Sequence, residues 1–315
     1  MNKNRIVVAA LIFGLLIAVS SCKKAEKQQV AERLNVVCSF LPVYVITQNV
    51  VKGVPGVTIQ SLLPPNVGCP HNYSLTPTDV AMLEKADVLV INGLGMEAFL
   101  SDSPFLDRQD LRIIDASQPI DPIVVGSHEK DLKKAHKPEE HSMNPHAWVS
   151  PFLNAEMTRH IGKSLAEIDQ GYKDKYLRNA QSYAARVDSL GRGFIRILSP
   201  AENRRIVIFH EAFDYFARDI NLEIVAVVES VPGVAPSAKE LAELIDKIRN
   251  AEPVGIFAEP QYPDQLAKML SDETGVPFYV LDPAASGQDD PMSYFRVMIE
   301  NLKILRTALK IQPPE

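Results

Sequence analysis

The sequence predicts an α/β protein of two lobes, each with a mostly parallel sheet flanked by helices, joined by one long backbone helix. Short apolar runs rich in Val and Ile alternate with helical patterns in both halves of the chain, and this alternation favours parallel sheets covered on both faces. Residues 151–198, between the halves, have a helical pattern with one narrow apolar stripe. The length of 315 residues, 46% of them hydrophobic, allows about two domains.

The first residues are typical of a leader and not of the fold. Lys3 and Arg5 precede an apolar run from Ile6 to Val19, which is too short to span a bilayer comfortably. Small residues then lead to Cys22 in "VSSC", which resembles a bacterial lipoprotein cleavage site. We therefore expect residues 1–21 to be a lipoprotein signal peptide, Cys22 to carry the lipid, and residues 22–33 to be a polar tether.

Residues 34–150 are predicted to form the N-terminal α/β lobe. Strands are predicted at 34–42, 57–63 and 87–93, and helices at 43–53, 76–86 and 96–102. The second of these helices has good start signals, with Thr76 as the cap and Pro77 in the first turn. Residues 126–144 are polar and without a period, so they are predicted to form an exposed loop.

Residues 151–198 are predicted to be a helical linker that includes the long spine helix, and residues 199–315 a C-terminal α/β lobe. The apolar stripe of the linker steps by three and four residues from Tyr176 to Ile197. In the C-terminal lobe the strand–helix alternation resumes. Its strands are predicted at 205–209, 222–228, 254–260 and 277–283, and its helices at 210–219, 236–251, 263–275 and 291–310.

The charge balance argues against nucleic acid as a partner. The chain carries 33 basic and 39 acidic residues, a net charge of −6. Removal of residues 1–21 takes away Lys3 and Arg5 and no acid, which leaves the net charge near −8. A nucleic-acid-binding protein would need a basic face.

Besides Cys22, the sequence has two cysteines, Cys38 and Cys69, both in or just after predicted strands. In an exported, oxidising compartment an even pair is compatible with a disulfide. Two buried free thiols are the alternative. A third possibility is that the Cys69 thiolate lies beside a bound metal.

Four side chains stand where ligands bind in parallel sheets, outside the carboxyl ends of the strands. His210 and Asp282 directly follow predicted strands, His71 lies just beyond one, and His146 lies between the first lobe and the spine. If the two lobes face each other, all four can meet in one cleft. Neutral imidazole and carboxylate suit a borderline divalent cation such as zinc. The spacing alone is not specific, because each histidine could equally be a core or capping residue.

Several motifs together resemble one family. The stretches "GCPHNYSLTPTDVAMLEKADVLVINGLGMEAFL", "NPHAWVSP", "FHEAFDYFARDINLEI" and "SYFRVMIENLKIL" look like the zinc/manganese-type solute-binding lipoproteins of bacterial ABC transporters. The resemblance covers residues 34 to 309. It implies two α/β lobes joined by a long helix, with a single metal ion between them that is delivered to a membrane permease powered by an ATPase.

The resemblance also implies which residues hold the metal. The family's ligand positions fall on His71, His146, His210 and Asp282. Three nitrogens and one carboxylate favour zinc, with manganese or iron as alternatives. Zinc-type members often carry a histidine-rich loop, here represented by His128, His136 and His141, which are equally compatible with a solvated loop. Glu259 could orient a ligand histidine, and Cys69 could approach the ion.

Two other functions stay open. A zinc hydrolase would need an open coordination position for water, whereas here Asp282 is expected to fill the fourth position, so we expect no enzyme. An adhesin-like surface lipoprotein with incidental metal binding is the other alternative. We expect a monomer that is lipid-anchored to a bacterial membrane, lies in the cell envelope facing the periplasm or exterior, and works with an ABC permease and its ATPase.

Overall fold

Two four-stranded parallel sheets organise the structure. The first contains β1 (Leu34–Cys38), β2 (Val57–Ser61), β3 (Val88–Ile91) and β4 (Arg112–Asp115), in the order β2-β1-β3-β4. The second contains β5 (Arg205–Ile208), β6 (Glu223–Val227), β7 (Gly255–Ala258) and β8 (Phe278–Val280), in the matching order β6-β5-β7-β8. Every strand pair in both sheets is parallel. The predicted fold class is confirmed.

This computed structural model describes residues 34–70, 73–101, 103–126, 143–229, 236–261 and 264–312. Residues 33–315 form one compact unit. The boundaries of the two lobes at 34–150 and 199–315 stay a prediction. The helices are α1 (Leu41–Val50), α2 (Pro77–Glu84), α3 (Pro151–Ile168), α4 (Lys173–Leu198), α5 (Asp214–Ile220), α6 (Ala238–Ala251), α7 (Gln265–Thr274) and α8 (Ser293–Ala308).

Helix starts follow from local side-chain chemistry. At α2 the Thr76 hydroxyl accepts from the backbone N–H of Asp79, and the Asp79 carboxylate accepts from the backbone N–H of Thr76. Ser237 and Glu240 make the same reciprocal pair at α6. Each pair satisfies backbone donors that the first helical turn leaves without partners.

The spine is one uninterrupted helix of 26 residues, α4, preceded by α3 and a short 3₁₀ turn. The predicted stripe is its inward face, because Tyr176, Val187 and Phe194 are fully buried. Gly162 of α3 packs against it so closely that a methyl group there would lie 2.3 Å from the Ala180 Cβ. A larger residue at this position would push the two helices apart.

Most of the buried apolar side chains form one cluster that contains both the first sheet and much of the second half of the chain. A smaller cluster lies between the second sheet and its helices α6 and α7. Within the described ranges, no helix combines the length and the apolar character that a bilayer crossing requires. Buried polar side chains stand at the carboxyl ends of several strands.

The structure differs from the sequence prediction at several local elements. The sequence reading missed β4, an edge strand in which Arg112 and Ile113 are exposed, so its apolar run is short. The described part of the helix predicted at 96–102 is not an α-helix but contains a 3₁₀ turn at Ala98–Leu100. The helix predicted from His210 also begins later, because a 3₁₀ turn at Glu211–Phe213 precedes α5.

Candidate metal centre

His210 stands at the carboxyl end of β5, a central strand of the second sheet. It has an extended backbone and is 2% exposed. Its Nδ1 is paired with a carboxylate oxygen of Glu259, which directly follows the neighbouring strand β7. Parallel neighbours end at the same edge of a sheet, so this strand order brings the two side chains together.

Glu259 is a buried acid with two partners. It is 1% exposed, and its second carboxylate oxygen accepts a hydrogen bond of 2.7 Å from Gln261 Nε2. Burial raises the pKa of Glu259, while the contact with His210 acts in the opposite direction. With the carboxylate as acceptor, His210 Nδ1 is the donor, and its Nε2 carries the lone pair.

His146 is held in the same tautomer by Asn144. The Asn144 Oδ1 accepts from the His146 backbone N–H and from its Nδ1, both at 2.9 Å. The amide orientation is determined by its other end, since Asn144 Nδ2 donates to the carbonyl of Glu211 and to the carboxylate of Asp214. Because Oδ1 can only accept, His146 Nδ1 is the donor and Nε2 again carries the lone pair.

The two Nε2 atoms face each other across 3.4 Å between buried rings. Two lone pairs at this distance repel, unless a cation or a proton lies between them. In a tetrahedral zinc site with Zn–N bonds of about 2.0–2.1 Å, two ligand nitrogens are roughly 3.4 Å apart. The observed separation therefore fits a shared metal ion.

Cys69 is the third donor in this cluster. One metal-binding atom from each of Cys69, His146 and His210 lies within 4.8 Å of the other two. Cys69 follows β2 of the first sheet, in a partly buried loop. Burial raises the pKa of its thiol, and the charges of Glu259 and Asp282 raise it further. Cys69 and Cys38 are both free thiols in the structure.

Asp282 lies two residues beyond β8 at the same edge of the second sheet. Asn301 of α8 fixes its backbone by donating to its carbonyl (2.7 Å) and accepting from its N–H (3.0 Å). Its carboxylate accepts from the backbone N–H of Ala284, and burial raises its pKa. It does not belong to the group whose donor atoms all lie within 4.8 Å, so its role as a ligand stays a prediction.

The remaining predicted site residues cannot be placed. His71, His128, His136, His141 and Cys22 lie outside the described residues. Their roles in metal binding and lipidation stay predictions from the sequence.

Sequence reasoning missed three positioning residues: Asn144, Gln261 and Asn301. Asn144 stands in the motif "NPH" beside a predicted ligand, and this adjacency was the one available signal. Trp148 is fully buried, and its Nε1 donates to the carbonyl of Pro283, next to Asp282.

The site therefore offers two buried imidazoles with preset lone pairs, a thiol and a nearby carboxylate. Comparison with known proteins agrees with a metal-binding role. Residues 36–308 match the family described as zinc-uptake complex component A, periplasmic. The chain belongs to this family. The expected resemblance is thus confirmed, and membership in an uptake-complex family agrees with a solute-binding protein and not an enzyme.

Two curated relatives are similar along nearly the whole chain. The zinc-binding lipoprotein AdcA of Streptococcus pneumoniae is 31% identical over 324 aligned positions, which cover 100% of this chain but 62% of AdcA. The high-affinity zinc uptake system protein ZnuA of Bacillus subtilis is 28% identical over 313 positions, which cover 97% of each chain. The chain thus spans less than two thirds of AdcA and nearly all of the B. subtilis protein.

A solved structure shows the same fold. The mutant structure of the laminin-binding adhesin Lmb from Streptococcus agalactiae superposes with a TM-score of 0.76 at 25% identity, covering 88% of this chain and 100% of the adhesin. This chain therefore shares its α/β architecture with a protein that carries an adhesin name.

Proposed function

We propose that this protein binds one divalent transition metal ion, zinc in the cell, and delivers it to an ABC permease driven by its ATPase. His146 and His210 hold the ion through Nε2. Asp282 and, from the sequence, His71 complete the ligand set. Cys22 carries a lipid that anchors the protein to a bacterial membrane, on the periplasmic or outer face, and the protein acts as a monomer.

One observation carries this proposal. Two buried imidazoles, each fixed through Nδ1 by an acceptor, present their Nε2 lone pairs to each other at 3.4 Å. The family and the names of the relatives point to the same cargo.

Zinc is preferred over manganese because of the donor set. Imidazole nitrogens suit zinc, whereas manganese prefers oxygen donors. The test is elemental analysis of untagged protein purified from cells, followed by competition between zinc and manganese for the apoprotein. One equivalent of zinc that excess manganese does not displace is the expected result. Absence of any bound metal and of any zinc titration would refute the proposal.

The adhesin-named structural neighbour supports a second candidate function, adhesion. The two candidates separate in cells. Deletion of the chain should slow growth when zinc is scarce, and added zinc should restore it. Lost attachment with unchanged growth in zinc-poor medium would favour the adhesin.

A further inference from the structure

The loop that follows β2 brings a thiol to the two imidazoles. Cys69 contributes its sulfur to the group of three donors that lie within 4.8 Å of one another. The other two donors come from the segment before α3 and from the end of β5. Three separate segments therefore converge on one point, and the first sheet supplies the sulfur.

The Cys69 loop lies against a residue from the second half of the chain. Gly68 has a φ of +76°, which glycine adopts without strain. A side-chain carbon at Gly68 would meet Gln261 at 3.8 Å, so the loop lies against Gln261. Gln261 in turn donates to Glu259, the partner of His210. The loop that carries the thiol is thus adjacent to the side chains that position His210.

The distances suit a sulfur ligand. With a Zn–S bond of about 2.3 Å and a Zn–N bond of about 2.0–2.1 Å, a tetrahedral site has S···N separations of roughly 3.6 Å. Donor atoms within 4.8 Å need to move by only about 1 Å to reach this geometry. Cysteine can make this movement through its single side-chain rotation.

We propose that Cys69 is a direct ligand of the bound ion and takes the position expected for Asp282, which lies outside the group of three donors. The cargo of this chain is then a thiophilic divalent ion (zinc, cobalt or cadmium) and not manganese. This inference rests on the proposed function and narrows it. On binding, the Cys69 thiol loses its proton to solvent and a sulfur–metal bond forms, with no change in oxidation state. Soft thiolate donors select zinc over the oxygen-preferring manganese.

The test uses cobalt(II) as a spectroscopic substitute for zinc. Purified full-length protein is stripped of metal, titrated with cobalt(II) and compared with Cys69→Ser and with Cys38→Ser, a control at the fully buried end of β1. Wild type and Cys38→Ser should show a sulfur-to-cobalt charge-transfer band in the near ultraviolet. Cys69→Ser should keep visible cobalt bands and lose the charge-transfer band. The ratio of its zinc affinity to its manganese affinity should fall about tenfold or more. Replacing a residue that only contacts a metal ligand already changes metal affinity about 10–100-fold, and loss of a ligand should have at least as large an effect.

The possible failures are distinguishable. A wild-type cobalt complex without the charge-transfer band overturns the thiolate ligand and leaves the proposed function standing. A wild type that binds neither cobalt nor zinc overturns both. If Cys69→Ser does not fold, zinc protection of Cys69 from maleimide in the wild type, mapped by peptide mass, decides the question. Equal labelling with and without zinc would count against ligation.

Discussion

At the scale of single residues, the site depends on which ring nitrogen each histidine presents. Both imidazoles present Nε2 because both Nδ1 atoms are donors, one to the carboxylate of Glu259 and one to the amide oxygen of Asn144. An anionic partner makes the opposite nitrogen a stronger ligand than a neutral partner does. His210 should therefore be the more basic ligand of the two.

This difference predicts the effect of Glu259→Gln. The amide can still accept from His210 Nδ1, but the negative charge is lost. Zinc affinity should fall by roughly 10–100-fold, measured by competition with a chromophoric chelator. The control is Glu243→Gln, an exposed acid on α6. An unchanged affinity in Glu259→Gln would show that the carboxylate does not act on the metal through His210.

The sequence predicted part of this site. His146 and His210 were predicted to meet as ligands. The structure brings their Nε2 atoms together, and their role as ligands stays a prediction. The role of Asn144 could not be predicted, because its amide is oriented by Glu211 and Asp214, which lie some 70 positions further along the chain. The sequence allowed Cys69 to lie beside a metal but did not decide between this, a disulfide and a buried thiol, since only the meeting of both halves of the chain places its sulfur beside His210.

At the scale of secondary-structure elements, a buried acid joins the central strands of the first sheet. The Glu97 carboxylate accepts from the Ser39 hydroxyl after β1 and from the backbone N–H groups of Asn92 and Gly93 after β3. The Asn92 amide then donates to the carbonyl of Pro145, next to His146. The metal centre is thereby connected to the ends of β1 and β3.

Burial raises the pKa of Glu97 from 4.5 to about 7, although its hydrogen bonds oppose the rise. The folded state thus binds more protons than the unfolded state between these values, and the stabilisation present below pH 4.5 is lost as the pH rises towards and beyond 7. Glu97→Gln lacks this titration. The unfolding free energy of wild type minus that of Glu97→Gln should fall by at most about 3 kcal/mol from pH 4.5 to 8.

Denaturant titrations across this pH range measure the difference. Ser39→Ala is the matched variant, because the Ser39 hydrogen bond lowers the Glu97 pKa. Loss of the Ser39 hydrogen bond should therefore move the pH range over which this stabilisation disappears to higher values. A difference that stays constant across the range would contradict a raised Glu97 pKa.

Helix packing gives a second prediction at this scale. Gly162→Ala places a methyl group 2.3 Å from the Ala180 Cβ, between α3 and α4. It should destabilise the protein by about 1–3 kcal/mol through overpacking. Gly193→Ala on α4 is the control, since nothing lies within 4 Å of the added carbon, and it should stabilise by up to about 1 kcal/mol through helix propensity. Chemical denaturation should show changes of opposite sign in the unfolding free energies of the two variants. Equal changes would rule out this packing argument.

The difference between buried and exposed strands explains which elements could be predicted from the sequence. Strands such as β1 and β5 are buried and rich in Val and Ile, so their apolar runs stand out in the sequence. The edge strand β4 has one neighbour and two exposed residues, Arg112 and Ile113. Its pairing to β3 comes from tertiary structure, which a local pattern does not contain.

At the scale of the whole molecule, the segment after β8 ties the two halves of the chain together. The Gly287 N–H donates to the carbonyl of Pro65, and the Asp289 carboxylate accepts from the Tyr44 hydroxyl of α1. Trp148 donates to Pro283 beside Asp282. A metal ion held by donors from both halves would add to these connections, so binding should stabilise the molecule as a unit.

Metal that binds only the folded form raises the unfolding free energy by about 4 kcal/mol at a free concentration 1,000 times the Kd. For a chain of this size the melting temperature should rise by on the order of 10 °C. His210→Ala removes a ligand and the partner of Glu259, so zinc should shift its melting temperature little. His160→Ala replaces a half-buried histidine of α3, and this variant should keep the full zinc-dependent rise in melting temperature. Differential scanning calorimetry with zinc, with manganese and without metal measures all three proteins, and identical melting of the wild type in the three conditions would contradict a metal centre shared by both halves.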